Sequence, residues 1–335
     1  MKRFWASLTL CLLVAGCGGA TANTKGSGGA TSPGSKEAAA TYFKDCHNTI
    51  QIIVGQTAGG ATDMWARLLA DAMSKSAGVK FQVVNVPGAG GSIGINKVTS
   101  AKKDGCTLGT VNLPSSLQYL FPNSKVQYTK ADFALIGDTG YSPNTIVVAK
   151  DSPYKTLKDL IADAKARPGK VNAASDGPGS DDAVAYIRLQ DATGMKINQV
   201  VLNGSADKVT SLLGGQIDFF GGSVTGVMAQ IRNAQFRALC VYADKASVFI
   251  PDVPTCKSQG ADVLSDIRWG LFTAVGVPAE RVQILEDLTM KVAAQADYKA
   301  ANEKLSIEVS PLTSKELSAE WDRQAEVYKK VTSKM

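Results

Sequence analysis

Four glycines fall within seven positions of NVPGAGGSIGINK (residues 85–97), directly after the apolar run KFQVV. A glycine-rich turn between a strand and a helix brings bare backbone N–H groups close to an anion, which is the chemistry of phosphate sites. A dinucleotide fingerprint needs glycines at offsets 0, 2 and 5. Gly88 and Gly90 fit, but offset 5 is Ile93 and the next matching glycine comes late, at Gly94. No Gly-Lys-Ser/Thr follows. The turn is therefore expected to shape a cleft rim and to let a helix approach a sheet closely.

Catalytic patterns are equally thin. His47 is the single histidine and precedes the first predicted strand. The chain has no Gly-x-Ser-x-Gly elbow, no Cys-x-x-Cys and no histidine–carboxylate cluster for a metal. Asp181 and Asp182 are adjacent, and adjacent helical residues diverge, so they do not make an acid–base pair. No enzyme, cofactor or metal is expected. Two other stretches suit anion binding. In TAGGATD (57–63), the N–H groups around Gly59, Gly60 and Ala61 are expected at the positive end of a helix. In SDGPGS (175–180), Ser175, Gly179 and Ser180 precede another helix and are ready to donate hydrogen bonds. Two such helix starts facing one cleft could hold a small carboxylate without any lysine or arginine.

The elements that must place these stretches alternate between strand and helix, which argues for an α/β fold with largely parallel sheets. TIQIIVG (49–55), KFQVVNV (80–86) and TLGTVN (107–112) read as strands, separated by helices over 60–78 and 92–101. DFALIG (132–137) adds a strand. A second unit begins at NTIVVAK (144–150) and runs through KVNAASD, NQVVL, QIDFFGG and FRALCVYA, with helices between. Helices at about 278–295 and 313–331 look like a return to the first unit. The predicted domains are 45–143 with 252–335, and 144–251, joined as a hinged clamp. Asn112, Ser115 and Tyr141, just past strand ends, are further ligand candidates.

The N-terminus reads as an export signal over residues 1–16, basic at Lys2 and Arg3 and then mostly apolar. VAGC ends it, making Cys17 a lipidation candidate. The Gly/Ser/Thr/Ala-rich stretch to residue 44 is then a tether above a membrane. The formal charge of +6 falls to +4 when the signal leaves. Its lysines and arginines are scattered, so nucleic-acid binding has no support. Of six cysteines in 335 residues, Cys46, Cys106, Cys240 and Cys256 remain for an exported, oxidising setting. Four cysteines allow three pairings. Cys46–Cys106 is favoured because both precede strands that are commonly neighbours in a doubly wound sheet, and Cys240–Cys256 by proximity. Four buried thiols are the alternative.

VGQTAGGATDMWARLLA, VVNVPGAGGSIG, KDGCTLG, DFALIG, ASDGPGS, LLGGQIDF, FRALCVYA and PDVPT occur in this order. Together they resemble the solute-binding proteins of tripartite tricarboxylate transporters, the Bug family, from about residue 49 to 331. The resemblance implies a two-domain periplasmic-binding-protein (Venus flytrap, type II) fold with a doubly wound sheet in each domain. It implies a periplasmic-type protein that binds a small organic carboxylate and delivers it to integral-membrane permease subunits; together with the signal and Cys17, the expectation is an extracytoplasmic, membrane-anchored lipoprotein acting as a monomer. A sensor presenting its ligand to a membrane receptor is the other reading. The family's loops add Thr62, Asp63 and Asn203 to the site. This chain has Gly55-Gln56 where relatives commonly have Pro-Phe, and Ala183 where many carry a histidine. Gln56 thus replaces an aromatic wall, and Asp181 with Asp182 forms an acidic patch suited to a ligand bearing an amine or hydroxyl.

Overall fold

The computed structural model describes residues 43–122, 124–202 and 204–333. The expected signal, Cys17, the tether up to residue 42 and Asn203 lie outside the described residues. No helix among the described residues is long and apolar enough to cross a membrane.

The chain begins with β1 (Thr49–Val54), α1 (Ala61–Ala77), β2 (Lys80–Asn85), α2 (Ser92–Thr99) and β3 (Thr107–Leu113). In α1, Trp65, Leu69 and Met73 recur every four residues on the buried face. Gly78 then turns left-handed and gives its N–H to the Ser74 carbonyl, ending the helix. β2 and β3 pair parallel to opposite edges of β1. First and third strands are thus neighbours, and a Cys46–Cys106 disulfide closes at their start with Cα atoms 5.4 Å apart. Cys240 and Cys256 form the second disulfide. The alternative of four thiols is excluded.

β4 (Phe133–Ala149) follows, then α3 (Leu157–Ala166), β5 (Val171–Ser175), α4 (Asp181–Thr193), β6 (Ile197–Val201), α5 (Ser205–Leu213), β7 (Phe219–Ser223), α6 (Val224–Arg232) and β8 (Phe236–Val241). The last stretch holds β9 (Asp266–Ala274), α7 (Ala279–Ala293), α8 (Ala296–Lys304), β10 (Glu308–Thr313) and α9 (Ser314–Thr332). The fold is α/β, with ten strands in one hydrogen-bonded sheet: eight follow the order β2-β1-β3-β9-β4-β7-β5-β6, and β8 and β10 join off this path at β4.

β4 is a single strand of 17 residues where the sequence pattern predicts two. Gly137, Gly140 and Pro143 look like breakers, yet the strand passes through all three. Its first part pairs with β9, and register shifts between Leu135 and Gly137 and between Asp138 and Gly140 absorb the glycines as bulges. At Gly140 the backbone needs the missing side chain, since a Cβ would stand 2.8 Å from the Trp65 ring and 3.0 Å from Trp269. The second part of β4, from Asn144, pairs with β7 and β8 instead. One strand therefore carries the chain from one set of parallel strands to the other.

Apolar clusters lie on both sides of this path. One packs Trp65, Leu69 and Met73 of α1 with Trp269 and Leu288. Another joins Leu117, Phe121, Phe272 and Trp321 to Val184 of α4. A third gathers Leu157, Leu160, Tyr186 and Phe219. Val184 places the start of α4 against the segment that follows β3.

Candidate functional site

The loop from Gly55 to Gly60 leaves the end of β1 and enters α1. Asp63, 3% exposed, turns its carboxylate back onto this loop. It accepts Gly59 N–H (2.9 Å), Asn85 Nδ2 (2.9 Å) and Arg67 Nε (3.0 Å). Burial raises its pKa, but the Arg67, Gly59 and Asn85 hydrogen bonds outweigh this and hold the carboxyl below its ordinary value. Asp63 is therefore a loop clamp. Gly59 N–H is spent on it, and Gly60 N–H points to the Thr57 carbonyl at 3.4 Å. These two amides face the protein. Ala61, Thr62 and Asp63 precede the first helical hydrogen bond, Met64 N–H to the Gly60 carbonyl, so their N–H groups are left for other acceptors.

Thr62, 5% exposed, stands at the floor of this loop. Its hydroxyl oxygen accepts Trp269 Nε1–H (2.9 Å) and Asn112 Nδ2–H (3.3 Å). A hydroxyl has two lone pairs and one proton, so both acceptor sites are taken and the proton is not. The Asn112 amide is an orientation inferred from its neighbours. Whichever way it is turned, at least one N–H or O–H of this pair has no acceptor among the described residues. Asn112 Oδ1 and Gln56 Oε1 are buried without partners as well. Ser115 opens a short turn (Ser115–Leu120) next to them, and Ser116 Oγ accepts Asn112 N–H at 3.3 Å. Tyr141 pairs with Arg268 on β9, its ring 4.9 Å beneath the Arg268 guanidinium, which also pairs with Asp138 at 3.1 Å.

The loop from Asp176 to Ser180 joins β5 to α4. Ser180 caps α4 by accepting Ala183 N–H (3.3 Å), and the buried Ser175 hydroxyl accepts Gly177 N–H (3.4 Å). Asp182 is 4% exposed and lies among donors: Ser180 Oγ, Ala183 N–H (2.8 Å) and Lys208 Nζ (2.5 Å). Lys208, also 4% exposed, reaches from α5 to Asp176 at 2.7 Å. Asp182 is thus neutralised inside the protein, which removes it from any acidic patch. Asp181 points the other way. It accepts Asn144 Nδ2–H at 2.8 Å and lines a cavity of about 30 Å³ with Arg188, Asp266 and Arg323. Burial, with the Asp182 carboxylate behind it, pushes the Asp181 carboxyl up to about 6.

Gly179 (φ +91°) brings the second loop onto the segment after β3: a Cβ there would stand 3.1 Å from the Phe121 ring. The glycine turn before α2 closes the third side. A Cβ on Gly55 would meet the Gly91 carbonyl oxygen at 2.7 Å, and one on Gly94 would meet Gly55 Cα at 2.9 Å. The turn therefore packs α2 directly against the first loop. Gln56, Ala61, Thr62, Asn112 and Ser115 share the first loop's neighbourhood, and Ser175, Gly179, Ser180 and Asp181 the second's. Trp269, Asn144, Asp176 and Lys208 are the members that sequence reasoning missed. Lys208 had one signal: it lies four residues before Leu212, on the stripe that α5 buries.

Residues 65–330 match the model of the tripartite tricarboxylate transporter family receptor. The chain belongs to this family. The match starts at Trp65, just beyond the first loop. A UPF0065 protein of Cupriavidus necator is 31% identical over 268 residues, 77% of this chain and 79% of its own. A TctC solute binding protein from Polaromonas, solved without ligand, is 29% identical with a TM-score of 0.69, covering 86% of this chain and 98% of that one. MatC of Rhodopseudomonas palustris, solved with bound malate, has the same fold (TM-score 0.75, 23% identity, 85% of this chain and 98% of that one). The α/β architecture of these receptors is the architecture of this chain.

Proposed function

We propose that this protein is an extracytoplasmic solute-binding lipoprotein that captures a small organic carboxylate between two lobes and hands it to a membrane permease. The lobes would be residues 45–143 with 252–335 and residues 144–251, hinged where β4 changes partners at Asn144. Cys17 would carry the lipid, and the stretch to residue 44 would tether a monomeric body to the membrane. Membership of the receptor family supports the role in transport, and the malate of MatC suits the ligand class.

The observation that carries the chemistry is the surplus donor of the Thr62–Asn112 pair, beside the N–H groups that open α1. A carboxylate is an acceptor-only group and answers that surplus. A hydrogen bond to a charged group contributes about 1.5–3 kcal/mol, so several together reach the roughly −8 kcal/mol of micromolar binding. No ion pair is needed. The reading as a receptor and not an enzyme is supported by the match to a transporter receptor family.

Calorimetry of the purified protein against mono-, di- and tricarboxylates tests this. At least one acid should bind, and Thr62→Val should weaken it by roughly 10- to 100-fold, the worth of one charge-assisted hydrogen bond, while Thr62→Ser keeps most of the affinity. Binding confined to uncharged or cationic solutes would end the reading.

A further inference from the structure

Two helix starts of residues 144–251 face the other proposed lobe, and they do so on opposite faces of the sheet. Successive side chains of a strand point to opposite faces. On β7, Phe219 packs against Tyr186 of α4 with ring centroids 5.4 Å apart, while Phe220 shares a cluster with Val227 of α6. On β9, Phe272 belongs with Phe121 and Val184, and Leu271 with Ile307. The loop before α4 therefore meets the other lobe at Phe121 on one face, and α6 meets it beside Ile307 on the other.

The start of α6 is held by protein groups. Thr225 N–H donates to Ser142 Oγ at 3.2 Å, and the Thr225 hydroxyl donates to the Ser306 carbonyl at 2.6 Å. Arg232, at the end of the same helix, donates from its guanidinium to Ser306 Oγ at 3.2 Å. Thr225 and Ser306 are both buried. Ser306 holds φ +58° in the turn from α8 into β10, a conformation kept only where the surroundings fix it. Ser142 lies on β4 just before Asn144, so one of these bonds reaches the crossing strand and two reach the other lobe.

We propose that these bonds form a rear clasp that favours the shut arrangement of the two lobes, making Thr225 and Arg232 positioning residues for an affinity they do not supply by contact. The front is shut in the same arrangement, with Gly179 of the second loop against Phe121. The helices α4 and α6 ride on one set of strands, so a rotation that lifts Gly179 from Phe121 also moves α6 relative to Ser306. A displacement of about 1 Å ends a hydrogen bond of this length, so opening that displaces α6 gives up the clasp. Apparent affinity scales with the fraction of molecules in the binding-competent arrangement, and the clasp raises that fraction. This inference rests on the two-lobe receptor reading given above.

The test places spin labels at Ile93→Cys and Val201→Cys, both exposed, the first beside the glycine turn and the second beside Gly177 of the second loop. Pulsed electron resonance then reads the width of the front. In the protein without added solute, Thr225→Val should move the label distances longer, whereas Thr225→Ser keeps the hydroxyl and should match wild type. Arg232→Ala should give a smaller shift in the same direction. Arg232 is exposed, so its variant reports on the clasp even if Thr225→Val folds poorly. In calorimetry with mono-, di- and tricarboxylates, any acid that binds wild type should bind Thr225→Val about three- to tenfold more weakly, the worth of one hydrogen bond, and Thr225→Ser within twofold of wild type. Unchanged distances in both Thr225→Val and Arg232→Ala would overturn the clasp, whatever the affinities. Failure of every acid to bind would instead overturn the receptor reading, and the label distances would still decide the clasp.

Discussion

The loop before α1 and the loop before α4 solve one problem with differently placed counter-charges. Each must hold an irregular backbone still at a helix start, and each turns an early-helix aspartate back onto the loop. Asp63 is balanced by Arg67 on its own helix, one turn along, whose side chain is 52% exposed. Asp182 is balanced by Lys208 from a different helix, with a side chain only 6% exposed. The first clamp is local and wet. The second is long-range and dry, and it draws in a second carboxylate, Asp176. Similar sequence signatures, GGATD and GSDD, therefore hide devices of different strength.

The largest expected effect follows from that contrast. Lys208→Met leaves Asp182 and its partner Asp176 without their cation. Removing one partner of a buried ion pair costs about 3–5 kcal/mol, so urea unfolding should show a loss of that size. If the loss is under 1 kcal/mol, the buried pair does not hold the second loop and the contrast collapses.

Asp181 sharpens it from the other side, because it is the acid of GSDD without a cation in direct contact. Its folded pKa of about 6 lies above the ordinary 3.8. Proton binding therefore favours the folded state fully below about pH 3.8, and this stabilisation is lost as pH rises through 6. Asp181→Asn cannot ionise, and its amide oxygen can still accept from Asn144. The variant should be more stable than wild type at pH 7.5, by at most about 3 kcal/mol, and the gap should close by pH 4. A pH-independent difference between the two would show that Asp181 titrates normally.

What could be read along the chain was whatever depends on near neighbours. The starts of α1 and α4, the Gly78 stop and the parallel set β1–β3 are all local patterns, and the strand neighbourhood led to Cys46–Cys106. β9 was missed because six consecutive residues, Trp269–Ala274, are buried and give no alternation. β10 was missed because it is half-exposed throughout and contains Pro311. The continuity of β4 across Gly137, Gly140 and Pro143 depends on partners more than a hundred residues away. The site divides in the same way. Thr62 and Ser180 announce themselves beside their helices, whereas Trp269 reaches Thr62 across a separation of 207 residues, and Lys208 reaches Asp182 from another helix.

The glycine turn gives an intermediate effect. Gly94→Ala would place its Cβ 2.9 Å from Gly55 Cα and 3.0 Å from the Val86 carbonyl oxygen, both backbone atoms that cannot rotate away. Overpacking of this kind costs about 1–3 kcal/mol. Gly59→Ala is the control, since a Cβ there meets nothing within 4 Å and only its φ of +82° is unfavourable. It should cost about 1–2 kcal/mol without moving α2. Because Gly55 begins the first loop, Gly94→Ala should also weaken ligand binding, and Gly59→Ala should do so less. Equal binding losses would mean that α2 does not support the first loop.

The smallest effect is expected at Arg67, where the contrast between the two clamps is easiest to break. Arg67→Ala removes both guanidinium contacts from Asp63 but leaves Gly59 N–H and Asn85 Nδ2 donating to the carboxylate. Because the arginine is half in solvent, water can replace it, and exposed pairs are worth about 0–1 kcal/mol. Unfolding should shift by less than 1 kcal/mol, and by less still at high salt, where exposed charges are screened. A loss as large as that of Lys208→Met would mean that exposure does not set the strength of these clamps. Asp63 would then depend on Arg67 as fully as Asp182 depends on Lys208, with burial of the carboxylate alone deciding the cost.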